Sequence, residues 1–188
     1  MPGELRVAIF LAISAARAQD VWPSFDCAKT AIDAERVVCA NQKLAGLDRK
    51  LASVYYESLQ KLEKPTPLWF TAEQRAWIQS RNRCSMNTAC IETAYTHRIA
   101  ELQAKFRLVF SRDPVIFRCQ PGGSEITATF YQTDPQTVIL ERGDQSVLAF
   151  SAPAASGARY EASNVVFWNK GPDAQVNWTG QELNCSTQ

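Results

Sequence analysis

Apolar positions recur at threes and fours through the first half of the chain and at twos through the second. Leu44, Leu47, Leu51, Val54, Tyr55, Leu59 and Leu62 keep the helical spacing, so 42–63 reads as one amphipathic helix. Pro65 and Pro67 end it, since neither donates a backbone N–H and each disfavours helix in the residue before it. Thr71 with Gln74 has capping-box spacing and predicts the start of a helix carrying Trp77 and Ile78. Asn87 or Thr88 caps another, with Ile91, Ala94, Tyr95, Ile99, Leu102, Phe106 and Val109 on one face. A shorter helix over about 33–40 precedes these.

The period changes at Ser111-Arg112-Asp113-Pro114. Beyond it, strands are predicted at 115–119, 124–131, 137–141, 146–150, 158–162, 164–168, 174–178 and 181–185. Asp134-Pro135, Arg142-Gly143-Asp144 and Thr179-Gly180 supply turns between several of them. Eight short strands in so little chain indicate an antiparallel barrel or a tight sandwich.

Residues 1–18 read as an export leader. Arg6 opens it, 7–16 are apolar, and Ala16-Arg17-Ala18 has the small-x-small cleavage pattern. The apolar run is too short to span a bilayer. The first cysteine, in Ser24-Phe25-Asp26-Cys27, is not in a lipoprotein cleavage context. The expectation is a soluble periplasmic or secreted protein without a membrane anchor.

Export gives the six cysteines meaning, because an even set in an oxidising compartment suggests three disulfides. Sequence alone leaves many pairings open. Division at the change of period puts Cys27, Cys39, Cys84 and Cys90 in the first half and leaves Cys119 to pair with Cys185. Closing that loop is worth about 4 kcal/mol in the chain-entropy account. In the first half the local pairs Cys27–Cys39 and Cys84–Cys90 are preferred, as they bracket a helix and a turn.

Charge divides the same way. Residues 19–112 hold 14 Lys/Arg against 10 Asp/Glu, a net +4, whereas 113–188 hold 4 against 8, a net −4. An acidic second half argues against nucleic acid as a partner and favours a basic protein.

Little of the usual catalytic equipment is present. The one histidine, His97, lies mid-helix opposite the apolar stripe and reads as a solvated surface residue. Without a second histidine there is no His-based metal site and no Ser-His triad. The cysteines lack CxxC spacing, and no GxSxG, HExxH, P-loop or cofactor motif occurs. No acid–base pair of carboxylates stands out, so the chain reads as a non-enzyme. Tyr55, Tyr56, Trp69, Phe70, Trp77 and Arg81 read as core and rim of the helical half, with a ligand surface as the alternative.

One constellation remains. Ser156-Gly157-Ala158-Arg159-Tyr160 and Phe167-Trp168-Asn169-Lys170-Gly171 place a hydroxyl and an ammonium in two glycine-containing turns flanked by aromatic, strand-like sequence. Side by side at one end of a barrel, they would offer a hydrogen-bonding group and a cation to something carrying carboxylates. By composition alone they would be a solvated turn serine and a surface lysine.

These residues carry a resemblance. From Cys119 through the serine-glycine and Trp168-x-Lys170-Gly171 motifs to Cys185, the chain resembles the MliC family of C-type lysozyme inhibitors. Phe25-Asp26-Cys27, Cys39, Leu47-Asp48, Tyr55, Gln74-Arg75-Ala76-Trp77, Arg81 and Cys84 resemble the LprI family, together with Cys90, Tyr95 and 98–102. The resemblance implies an α+β chain with a disulfide-stapled helical domain over 19–111 and a small eight-stranded antiparallel β-barrel over 112–188. It implies C-type lysozyme as the partner, met by Ser156, Gly157, Tyr160, Trp168, Lys170 and Gly171. Ser156 and Lys170 would contact the enzyme's two catalytic carboxylates, and Tyr160 would brace its loop. Ala154 stands where the family pattern usually has another serine. A competing reading is a non-inhibitory module in which the helical half recognises an envelope or secreted protein.

Overall fold

The computed structural model describes residues 21–187. The leader expected at 1–18 lies outside them. A single turn of 3-10 helix, Cys27–Lys29, precedes α1 (Asp33–Ala40) and is tied to it by Cys27–Cys39. α2 (Gln42–Gln60) follows after one residue, Asn41, whose side chain accepts from Leu44 N at 3.1 Å and caps it. α3 (Leu68–Asn82) and α4 (Thr88–Lys105) are joined by a turn stapled by Cys84–Cys90, and Asn87 caps α4 by accepting from Cys90 N at 3.0 Å.

Two sequence expectations need correction here. α3 begins at Leu68 rather than at Thr71: Pro67, at φ −59° and ψ 139°, is the extended residue just before it, and the Thr71 hydroxyl donates back to the Leu68 carbonyl at 3.0 Å inside the first turn instead of capping it. Val109 does not extend the face of α4. The helix stops at Lys105, and Arg107 at φ +52° turns the chain away.

The helices enclose Leu44, Leu51, Val54, Phe70, Ile91, Tyr95, Ile99 and Leu102. Phe70 is fully buried, stacked on Tyr55 at 4.8 Å and edge-on to Phe106 at 5.3 Å. The aromatic set divides between core and rim as expected, since Tyr56 and Trp69 remain exposed beside it.

The second half is a closed antiparallel barrel in sequence order, which decides between barrel and sandwich: β1 (Val115–Gln120), β2 (Glu125–Tyr131), β3 (Thr137–Arg142), β4 (Gln145–Ala152), β5 (Ala158–Ala162), β6 (Val165–Lys170), β7 (Asp173–Trp178) and β8 (Gln181–Ser186). β1 pairs with β8, leaving no free sheet edge. Alternate residues fill the interior, among them Phe117, Ile126, Leu140, Phe167, Val176 and Leu183. Cys119 lies directly opposite Cys185 in the β1–β8 register, and the two form the third disulfide.

Up-and-down winding gathers the entry from α4, the β2–β3 loop, the β4–β5 loop and the β6–β7 turn at one end of the barrel. The entry itself continues the sheet. Gln132 N donates to the Phe110 carbonyl and Arg112 N to the Phe130 carbonyl, both at 3.0 Å. α4 also lies against the barrel wall, where His97 stacks on Phe150 of β4 with ring centres 4.2 Å apart and planes 15° from parallel. His97 is therefore not the solvated residue expected. Helical periodicity placed it correctly on the polar face of α4, but the barrel covers that face.

Candidate functional site

Ser156 and Lys170 come together. The β5–β6 register sets Ala158 opposite Asn169, so Gly157 and Ser156 run beside the end of β6 where Lys170 sits. Both residues are exposed, and both line one groove of about 540 Å³ on the outer surface of β6, β7 and β8. Trp168, Asp173, Gln175 and Asn184 supply its floor and wall.

Two contacts fix the spacing. Trp168 Nε1 donates to the Ser156 carbonyl at 2.7 Å, tying the β4–β5 loop to β6. Gly157 has φ +69°, and a side chain there would collide with the Asn169 carbonyl and press on Lys170 Cβ at 3.2 Å. Glycine is thus required twice over, by conformation and by the close approach of the next strand. Gly171 needs only its φ of +61°, with open space around it.

Tyr160 is placed differently from the rest of the motif. It is 5% exposed, points into the barrel and packs on Phe130 with ring centres 5.6 Å apart. Burial raises its pKa, partly offset by Arg112, so the phenol stays neutral. The ring faces the barrel interior, and Tyr160 is not among the residues that line the groove of Ser156 and Lys170.

Among the described residues Lys170 makes no ion pair, and Asp173 faces it across the two-residue turn in the strand register. The ammonium therefore stands at the rim of the groove, with a hydroxyl on the adjoining loop. No group of three or more metal-ligating side chains occurs among the described residues. The arrangement can donate hydrogen bonds and present a cation. It supplies no nucleophile paired with a base.

The helical half holds a second polar constellation that periodicity did not reveal. Tyr95 donates to Asp48 at 2.8 Å and accepts from Arg81 Nη1 at 2.8 Å, while Asp48 also accepts from Ser24 N at 2.6 Å. Burial, then Asp48, pushes the Tyr95 hydroxyl far above its ordinary pKa, so it acts here as a permanent donor. The only hint in the sequence was that Asp48, Tyr95 and Arg81 all belong to the LprI resemblance.

Comparison with known proteins divides the chain at the same place. Residues 27–104 match the family model described as lysozyme inhibitor LprI. Residues 117–184 match the MliC model, membrane-bound lysozyme-inhibitor of c-type lysozyme. Lipoprotein LprI of Mycobacterium tuberculosis and of Mycobacterium bovis are each 29% identical over 169 residues, covering 87% of this chain and 84% of theirs. A crystal structure of Pseudomonas aeruginosa MliC in complex with hen egg white lysozyme is similar at 22% identity and a TM-score of 0.38, over 43% of this chain and 84% of that one. These relatives are named lipoproteins, whereas the sequence leads to the expectation of no lipid anchor; the leader lies outside the described residues, and Cys27, the first cysteine, is held in the disulfide with Cys39. Among the described residues no helix is long and apolar enough to cross a membrane.

Proposed function

We propose that this chain, an LprI-type segment followed by an MliC-type segment, is an exported inhibitor of C-type lysozyme whose Ser156 loop and Lys170 turn enter the enzyme's cleft. The observation that carries the reading is the pairing of an exposed hydroxyl and an unpaired ammonium on two adjoining loops, locked together by Trp168 and Gly157.

Lysozyme cleaves peptidoglycan with a protonated glutamate and an ionised aspartate close together in a groove. The Lys170 ammonium about 4 Å from that aspartate gains about 4 kcal/mol at an effective dielectric of 20, before desolvation. Desolvation removes much of this, so the lysine contributes more to selectivity than to raw affinity. The Ser156 hydroxyl can donate to or accept from the glutamate in either protonation state. A stiff pair loses little conformational entropy on entering the cleft, which is where Trp168 and Gly157 contribute. The barrel half's net −4 draws a basic enzyme toward it and raises the on-rate at low salt.

Occupation of the cleft makes inhibition competitive with glycan. A short chitin oligosaccharide that fills the cleft should displace the protein from lysozyme in proportion to its own affinity. Simultaneous binding of both would contradict the reading.

A second reading has its own observation. Leu68 is 87% exposed and Trp69 50% exposed at the start of α3, and Tyr56 on α2 is exposed as well. They suit a protein partner of the helical half, with the barrel as scaffold. In that case Leu68→Ser with Trp69→Ser abolishes partner binding while Lys170→Ala leaves it intact.

A further inference from the structure

The end of the barrel that receives the chain from α4 is not filled. A cavity of about 380 Å³ opens there, framed by the entry segment, the β2–β3 loop and the β6–β7 turn. Its inner wall is aromatic: Phe117 and Tyr160 are buried, and Phe130 packs on Tyr160 from β2. The amides of Gln132 and Gln136 stand exposed at the rim, and no carboxylate lines the cavity. The volume lies within the range of small-molecule sites, and an eight-stranded barrel is just wide enough to admit one small ligand.

Two polar groups of the lining lack partners. The backbone N–H of Arg112 is used by the sheet, but its exposed guanidinium makes no ion pair and no hydrogen bond among the described residues. Tyr160 is 5% exposed, and its hydroxyl bonds to nothing among the described residues, yet the oxygen is not sealed from solvent. A buried tyrosine hydroxyl ordinarily finds a partner. Burial raises the pKa of this phenol and the Arg112 charge offsets part of the rise, so the guanidinium stands near the hydroxyl over the same cavity.

We propose that the mouth of the barrel binds a small organic carboxylate with an apolar body, an aromatic or short alkyl acid, its carboxylate on Arg112 and the Tyr160 hydroxyl and its body against Phe117 and Phe130. A guanidinium offers two parallel N–H donors that match the two oxygens of a carboxylate, and charge-assisted bonds are the stronger kind. Tyr160 stays protonated at neutral pH and so can donate. The aromatic wall takes the body of the ligand out of water, which gives an acid with a body an advantage over a bare anion. No lining residue is shared with the groove of Ser156 and Lys170, so the site stands or falls apart from lysozyme inhibition.

The test titrates the whole protein with sodium phenylacetate and with sodium hexanoate. Phenylacetamide serves as the probe without the charge and sodium acetate as the probe without the body, at ionic strength held constant with chloride. The ring signals of Tyr160 and Phe130 are followed by NMR, and dissociation constants are taken from the saturation curves. The account expects at least one of the two larger acids to saturate at about 1 mM or below and to move both rings. Whichever of them binds more tightly names the body the site prefers. Phenylacetamide and acetate should each bind at least about tenfold more weakly. Arg112→Gln, at an exposed position, should weaken the acid about 10–100-fold, and Tyr160→Phe about 2–10-fold. Failure of both acids to saturate overturns the proposal. So does an affinity for the acid unchanged in Arg112→Gln, or phenylacetamide binding as tightly as phenylacetate.

Discussion

Trp168 Nε1 donates to the carbonyl of Ser156 across 2.7 Å, so the indole of one strand sets the height of the loop that carries the hydroxyl. Trp168→Phe keeps an aromatic on the groove and removes only the donor. The expected loss is about 0.5–1.5 kcal/mol of inhibitory affinity with an unchanged fold, read from inhibition constants and circular dichroism side by side. Equal inhibition by wild type and Trp168→Phe would show that the loop needs no such tether.

Gly157 and Gly171 separate conformation from crowding. Both hold positive φ, but only Gly157 lies against the neighbouring strand. Gly171→Ala should cost about 1–2 kcal/mol of stability from the left-handed backbone alone. Gly157→Ala should cost more in stability, and its loss of inhibition should be larger still, because the displaced strand carries Lys170. Thermal midpoints and inhibition constants for the two variants make the comparison; identical losses would refute the close-approach argument.

Tyr95→Phe tests the network in the helical half. It leaves Asp48 Oδ1 and Arg81 Nη1 without the bridging hydroxyl, at about 1–3 kcal/mol. Denaturant unfolding should show a lower midpoint at unchanged slope. A slope change would instead mean that the compactness of a state had altered.

His97 gives the fold a pH dependence of known sign. Its pKa is lowered by burial, so the unfolded chain takes up a proton as pH falls through about 6.5 while the folded chain resists. Stability from this residue is therefore complete above that range and falls as pH drops below it. His97→Gln should flatten the curve of thermal midpoint against pH between about 7 and 5.5. Glu101 acts lower down: burial would raise its pKa, but Arg98 and Lys105 outweigh burial and hold it below the usual carboxylate value, so its contribution is lost only as pH falls through that lowered value.

Much of the architecture was legible because it follows from period. The apolar spacing of Leu44 to Leu62 and the alternation after Ser111 gave the two halves, and the strand bounds fell within about two residues of those observed. Cys119–Cys185 followed from that division, and the two local pairs preferred in the first half, Cys27–Cys39 and Cys84–Cys90, are the ones formed. What was hidden depended on neighbours distant in sequence. His97 reads as solvated because nothing local reveals that β4 covers it, and Tyr160 reads as a contact residue of its motif until the barrel closes around it. The start of α3 was missed because Thr71, with Gln74 three residues on, imitates a cap inside a helix that has already begun at Leu68. The Ser156–Lys170 pairing was readable from the motif, but the Trp168 and Gly157 contacts that hold it depend on register.

The central claim is that the Lys170 ammonium and the Ser156 hydroxyl silence lysozyme together. The most direct measurement is the inhibition constant of the whole protein against a C-type lysozyme, for wild type, Lys170→Ala and Ser156→Ala. The account predicts that Lys170→Ala weakens inhibition by about 2–5 kcal/mol, roughly 30-fold at least. Ser156→Ala should weaken it by a smaller but measurable factor. Inhibition constants unchanged in both variants would contradict it.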